Sequence, residues 1–187
     1  MITVFASGSG TNAERLIRHF QHTESPVGLV VCNRPGARVL DRARGLKVPS
    51  VLIDRATFAE RQNMLNLLQR ASTQWIVLAG FLWLIPEWLI RAYPNRIVNI
   101  HPALLPDFGG KGMYGMHVHR AVRESGVPET GISIHYVNEL YDRGKIIFRA
   151  RCPIFSTDRP EDLAKRVHEL EYKHYPRVLE RLIDMDL

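Results

Sequence analysis

The chain has 187 residues, of which 45% are hydrophobic and 24% charged. That is the size and make-up of one ordinary globular domain with its own core, and it excludes disordered, collagen-like and fibrous chains. The formal net charge is +6 and there are only two cysteines, Cys32 and Cys152; a disulfide-rich secreted scaffold is excluded. The cations are scattered (Arg15, Arg18, Arg34, Arg38, Arg42, Arg44) rather than blocked, with no zinc-finger spacing and no RNA-binding aromatic signature. Anionic small molecules are therefore expected as partners, not nucleic acid. No basic leader precedes the first apolar run, and the stretch from Trp75 to Ile85 is too short to span a bilayer. A soluble cytoplasmic protein with no membrane partner is expected; the oligomeric state is left open.

Strand-like and helix-like segments alternate from the start. Ile2 to Ala6 is a short apolar strand running into Ser7-Gly8-Ser9-Gly10. Asn12 to Phe20 reads as a helix, Val27 to Cys32 as a buried strand, Ala37 to Gly45 as a helix stopped by glycine, and Val48 to Ile53 as the third strand. Thr57 to about Ala71 is predicted as one helix, Trp75 to Ala79 as a strand, Pro86 to Ala92 as a short helix and Arg96 to Ile100 as a strand. Gly131 to Val137 and Lys145 to Ile154 are expected to pair antiparallel around a polar turn. Pro160 to about Ile183 reads as a last helix, capped by Asp158 and bent or broken near Pro176. The expected fold is α/β: a Rossmann-like, mostly parallel twisted sheet of about seven strands with helices on both faces and a C-terminal antiparallel hairpin.

Three places carry chemistry. Ser7-Gly8-Ser9-Gly10-Thr11-Asn12 joins a strand end to a helix start, where glycines allow close backbone approach and helix N–H groups favour a phosphate. It is neither a dinucleotide fingerprint nor a Walker loop, so a monophosphate cradle is expected against the alternative of a structural turn. Asn99 and His101 alternate at a strand end and face the same side, a pair suited to an oxyanion in acyl transfer. Asp142, in the turn Asn138 to Gly144, is either a solvated turn acid or a carboxylate able to raise an imidazole pKa. The glycine-rich loop Asp107 to Gly115 offers Lys111 as an anion contact. His117 and His119 alternate, but neither cysteine has a CxxC partner, and no metal is expected. His135 reads as a packed core or pocket-wall residue, and no Gly-x-Ser-x-Gly elbow is present.

Ala6-Ser7-Gly8-Ser9-Gly10-Thr11-Asn12, Leu78-Ala79-Gly80-Phe81, Asn99-Ile100-His101-Pro102-Ala103-Leu104-Leu105-Pro106 and Gly131-Ile132-Ser133-Ile134-His135-Tyr136-Val137 resemble, in order and over essentially the whole chain, the phosphoribosylglycinamide formyltransferase family of folate-dependent enzymes. The Asn-x-His-Pro block is shared with the wider formyltransferases; the phosphate loop and the tail Glu169 to Pro176 narrow the resemblance. It implies a single formyltransferase domain over 1–187, with a phosphate- and ribonucleotide-binding half at 1–100 and a folate-binding, catalytic half at 101–187. The implied reaction passes the formyl group of 10-formyltetrahydrofolate, as co-substrate, to the amine of glycinamide ribonucleotide in purine synthesis. Asn99, His101 and Asp142 would be catalytic: Asn99 and protonated His101 hold the oxyanion, and Asp142 raises the His101 pKa. Gly10, Thr11, Asn12, Lys111, His168, Glu169, Leu170 and Glu171 would bind the ribonucleotide. Leu82, Trp83, Leu84, Ile85, Asn99, Asn138, Glu139, Leu140, Tyr141 and Asp142 would bind the folate. Trp83 stands where the family often has a basic residue, the segment Phe108 to Met116 is longer than in some relatives, and Arg61 is a candidate for the folate tail. The alternatives are 10-formyltetrahydrofolate hydrolase, another formyltransferase on the same scaffold, or a non-catalytic phosphate-ligand module. The hydrolase usually carries a further N-terminal domain and other formyltransferases a C-terminal one, whereas here the first strand begins at once and the chain ends soon after its last helix.

Overall fold

The computed structural model describes residues 1–186. The elements are β1 (Ile2–Ala6), α1 (Thr11–Phe20), β2 (Val27–Cys32), α2 (Arg38–Gly45), β3 (Ser50–Leu52), α3 (Arg55–Ala59), α4 (Arg61–Arg70), β4 (Trp75–Leu78), α5 (Glu87–Ala92), β5 (Ile97–His101), α6 (Met116–Ser125), β6 (Glu129–Tyr136), β7 (Ile146–Pro153) and α7 (Pro160–Asp184). The seven strands form one sheet in the order β3-β2-β1-β4-β5-β6-β7. β1 pairs parallel with β2 and β4, and β2 pairs parallel with β3. β6 and β7 are antiparallel, as expected for the hairpin. The chain divides into two compact units, Met1–Val98 and the part from Asn99 onward.

In the first unit the central strands are mostly apolar, while the edge strand β3 is not buried. All five residues of β1 and all four of β4 are buried, the pattern of parallel strands covered on both faces. Leu16, Ile17 and Phe20 bury one side of α1. Phe5, Phe58, Phe81 and Trp83 pack ring to ring at centroid separations of 5.2 to 6.4 Å. The order of connections reverses at β1, whose neighbours are β2 on one side and β4 on the other. Loops at the carboxyl ends of strands flanking such a point are where open α/β sheets place ligands.

In the second unit Ala103, Val118, Val122 and Leu163 form a core cluster, with Phe108, Met113, Val127 and Ile154 packed against it. Val118, His119 and Val122 are the buried residues of α6, a helix the sequence reading did not anticipate. Two further expectations are corrected. The helix expected over 57–71 is two helices that meet at Glu60, whose backbone is extended (ψ 93°). Asp54 starts the first of them by accepting the Thr57 N–H at 2.7 Å. At α7 the N-cap is Arg159, whose N–H is accepted by Asp162 at 3.0 Å; Asp158 instead holds Arg166 at 2.8 Å. The helix runs unbroken through Pro176, which is buried. Among the described residues no helix is long and apolar enough to cross a membrane.

Candidate active site

The loop after β1 is built by backbone. Gly10 caps α1 in the left-handed region (φ 74°, ψ 21°), and no side chain caps that helix. A Cβ at Gly10 would lie 2.6 Å from the Val39 Cβ, so both conformation and space demand glycine there. The Val39 N–H donates to the Gly8 carbonyl at 3.2 Å. Arg42 donates to the Ser9 carbonyl at 2.8 Å and pairs with Glu14 of α1, a support that sequence reading missed. The loop after β4 is tied to this one. The Ser7 N–H donates to Gly80 O at 3.0 Å, and Ser7 Oγ accepts the Leu82 N–H at 3.0 Å. Leu82 and Leu84 are exposed, while Trp83 packs on Phe58 and Phe81. The Arg55 guanidinium lies 4.3 Å over the Trp83 ring, a cation–π contact. Arg61 lines a different hollow with Glu87, Trp88, Arg91 and Ala92.

The second unit brings Asn99, His101 and Asp142 together. Asn99 Nδ2 lies 3.4 Å from Asp142 Oδ1, and His101 Nδ1 lies 3.5 Å from Asp142 Oδ2. His135, two positions along β6 from the buried Ser133, joins them: its Nε2 is 3.1 Å from Asn99 Nδ2 and 3.6 Å from Asp142 Oδ1. A carboxylate only accepts, so the Asn99 amide turns its NH₂ toward Asp142. His135 Nε2 is then an acceptor for the same NH₂, and its proton sits on Nδ1, where the Tyr136 carbonyl accepts it at 2.8 Å. His101 Nε2 donates to the Phe108 carbonyl at 2.8 Å, and the Gly110 N–H donates to Asp142 Oδ2 at 2.9 Å. The side chains of His101 and His135 are 4% and 2% exposed and that of Asp142 is 11% exposed, so these contacts act in a low dielectric.

Electrostatics follow from that burial. Burial pulls the His101 pKa below its ordinary value; Asp142 and the Phe108 carbonyl pull upward and lose, and His135 adds to the lowering. Burial pushes Asp142 up, but the His135 and His101 rings, which attract the carboxylate when they carry a proton toward it, and the Gly110 N–H outweigh it, and the carboxyl ends below its usual range. His119 of α6 is lowered to about 4 by burial and by His168 and His101. Burial thus works against the protonated His101 that the resemblance implies, and Asp142 works for it.

Asp142 sits in a turn shaped by backbone: its φ is 56°, and a Cβ on Gly144, two places on, would fall 1.6 Å from the Tyr136 oxygen. Asn138 Oδ1 accepts the Leu140 N–H at 3.1 Å, and Leu140 is 64% exposed. Glu139 is exposed and Tyr141 half-buried. On α7, His168 and Glu171 share a face, with His168 Nε2 4.0 Å from Glu171 Oε2; Glu171 is buried. Glu169 is exposed and Leu170 half-buried, on other faces of that helix. Lys111 is exposed in the glycine-rich loop. Among the described residues no group of three or more His, Cys, Asp and Glu is placed to hold a metal ion.

Residues 1–179 match the family described as formyl transferase. The chain is 38% identical over 185 residues to the chloroplastic phosphoribosylglycinamide formyltransferase of Arabidopsis thaliana, covering 95% of this chain and 63% of that protein. It thus spans somewhat under two thirds of that relative's length. It is 35% identical over 189 residues to the phosphoribosylglycinamide formyltransferase of Bacillus subtilis, covering 98% of this chain and 94% of the relative. The crystal structure of glycinamide ribonucleotide transformylase 1 from Geobacillus kaustophilus superposes with a TM-score of 0.86 at 37% identity, covering 97% of each chain. With nearly its whole length matched and its trio of amide, imidazole and carboxylate assembled, the chain belongs to the formyl transferase family.

Proposed function

We propose that the protein transfers the formyl group of 10-formyltetrahydrofolate to the amine of glycinamide ribonucleotide, giving formylglycinamide ribonucleotide and tetrahydrofolate, a step of purine synthesis. The observation that carries this reading is the convergence of Asn99, His101 and Asp142 within 3.4 to 3.5 Å in a buried setting. The chemistry needs donors and a proton relay, and no covalent nucleophile. The substrate amine attacks the formyl carbon, a C–N bond forms, and the carbonyl electron pair moves onto oxygen. That oxyanion takes an N–H of Asn99, most readily the one held loosely by Asp142 at 3.4 Å, and the Nε2–H of His101 in place of the Phe108 carbonyl. Negative charge forming beside His101 supplies what burial withholds and draws a proton onto the ring, with Asp142 steadying the imidazolium. The proton lost by the new ammonium passes through His101 and Asp142 to the folate nitrogen; the oxyanion pair then re-forms the carbonyl as the bond from that nitrogen to the formyl carbon breaks, its electrons leaving with the protonated nitrogen.

The phosphate of the ribonucleotide is assigned to the backbone of Gly10, Thr11 and Asn12 at the start of α1, where amide dipoles favour an anion. His168 and Glu171, on one face of α7, suit the ribose hydroxyls, with Glu169 and Leu170 as neighbours and Lys111 as an anion contact. The folate is assigned to Leu82, Trp83, Leu84 and Ile85, whose exposed leucines offer apolar surface, and to Asn99 and the turn Asn138, Glu139, Leu140, Tyr141 and Asp142. Two free, buried cysteines support a reducing, cytoplasmic location. The test is deformylation of 10-formyltetrahydrofolate with and without glycinamide ribonucleotide. Product only when both are present is expected; deformylation without the amine makes the protein a hydrolase, and no deformylation makes it a binding module.

A further inference from the structure

We propose that Arg149, with its cross-strand partner Ser133, is a positioning residue for formyl transfer: the pair pins the backbone from Ala103 to Leu105, on which the loop touching His101 and Asp142 is seated. The inference rests on the reading of Asn99, His101 and Asp142 as the catalytic group.

Ser133 on β6 and Arg149 on β7 stand directly opposite each other in the hairpin, and residues so paired project from the same face. Both reach the irregular segment that follows β5. Ser133 Oγ, fully buried, accepts the Leu105 N–H at 2.9 Å and donates to the Ala103 carbonyl at 2.8 Å. The Arg149 guanidinium donates to the Leu105 carbonyl at 2.7 Å, a charge-assisted bond. Buried backbone outside helix and sheet must find partners elsewhere, and here the hairpin supplies them. Leu105 is 3% exposed, and its side chain lies directly against Gly109: a Cβ on Gly109 would be 2.5 Å from Leu105 Cδ2 and 3.2 Å from the Asp142 Cβ. Gly109 is flanked by the two groups that hold the catalytic side chains, the Phe108 carbonyl on His101 and the Gly110 N–H on Asp142. Arg149 touches neither catalytic residue. It acts through Leu105, whose displacement would shift Gly109 and both of those contacts together.

Arg149 is exposed, so its replacement opens no cavity in the core. The experiment compares wild type with Arg149→Ala, Arg149→Lys and Ser133→Ala, measuring kcat, both KM values and the pH profile of kcat. It adds an NMR titration of the His101 ring, assigned with His101→Gln. Small misplacements of reacting groups weigh heavily on rate, so kcat of Arg149→Ala is expected to fall about tenfold while both KM values change less than about twofold. The His101 titration, set by burial first and then by Asp142, the Phe108 carbonyl and His135, moves up toward the ordinary imidazole value as the loop loosens and admits water. Arg149→Lys, which keeps a cationic donor, recovers most of the loss, and Ser133→Ala shifts the titration in the same direction. Unchanged kcat and unchanged His101 titration in Arg149→Ala overturn the proposal, as does a loss confined to thermal stability. If the wild type itself shows no amine-dependent deformylation, the catalytic reading falls, while the ring titration still decides whether Arg149 and Ser133 set the environment of His101.

Discussion

The loop after β1 and the group around Asp142 are made in opposite ways. The first is mainly backbone: a left-handed Gly10 against Val39, with amides and carbonyls aimed by turns and side chains such as Ser7 and Arg42 bonding to main-chain groups. The second turns on side chains: an amide, two imidazoles and a carboxylate drawn together out of water, with backbone groups of Phe108, Gly110 and Tyr136 fixing their edges. A backbone cradle tolerates any residue that leaves its shape alone. A buried polar network tolerates almost no change in its members, because each lost partner strands another. Binding and chemistry are therefore expected to fail separately.

The largest effect should come from Asp142→Asn. The amide keeps the size but loses the charge that steadies the imidazolium, and kcat is expected to fall on the order of a thousandfold, with KM for glycinamide ribonucleotide little changed. Steady-state deformylation reads both; a fall in affinity with turnover intact would move Asp142 to the binding side of the contrast. Gly10→Ala should do the reverse. Strain at φ 74° and the 2.6 Å approach to Val39 should raise KM for the ribonucleotide about tenfold and lower stability by about 1–2 kcal/mol, leaving kcat at saturation near wild type. A smaller effect lies in the acid range. His119 binds a proton near 6.5 when unfolded but only at about 4 when folded, so the unfolded chain holds more protons in that window and stability falls as pH drops through it. His101, His168 and His174 are displaced the same way. The Tm is expected to decline from pH 7 to pH 4, and His119→Phe to flatten that decline by a few degrees; equal slopes in the two proteins would show that His119 takes up its proton without cost.

Legibility in the sequence followed the same division. β2 falls at Val27–Cys32, the segment its apolar run marks, and the glycines of the β1–α1 loop announce their conformation by composition. Asn99 and His101 share a side of β5, as an alternation of two residues requires. That Asp142 meets Asn99 across a separation of 43 residues could not be read from pattern, because the contact belongs to the sheet order and not to any local signal. The helix Met116–Ser125 escaped because one of its three buried residues is a histidine, which weakens the apolar period. The helix expected over 57–71 was read as one because Glu60 is an ordinary helix former; only its extended backbone breaks the run. Asp158 resembled a cap and serves instead as the anchor of Arg166. The link from Arg149 through Leu105 has no sequence signature, since a carbonyl receiving a guanidinium is available at any position.

The closeness of Gly144 to the Tyr136 oxygen, 1.6 Å from where any side chain would begin, changes how a catalogue of tolerated replacements in this turn should be interpreted. Glu139, Leu140 and Arg143 are exposed, and replacing them disturbs no buried packing, whereas position 144 admits nothing but hydrogen. Ranked by intolerance alone, a residue with no functional group would stand level with the carboxylate two places before it. Intolerance here measures how tightly the chain is folded back on itself, and the chemical role has to be read from the atoms present.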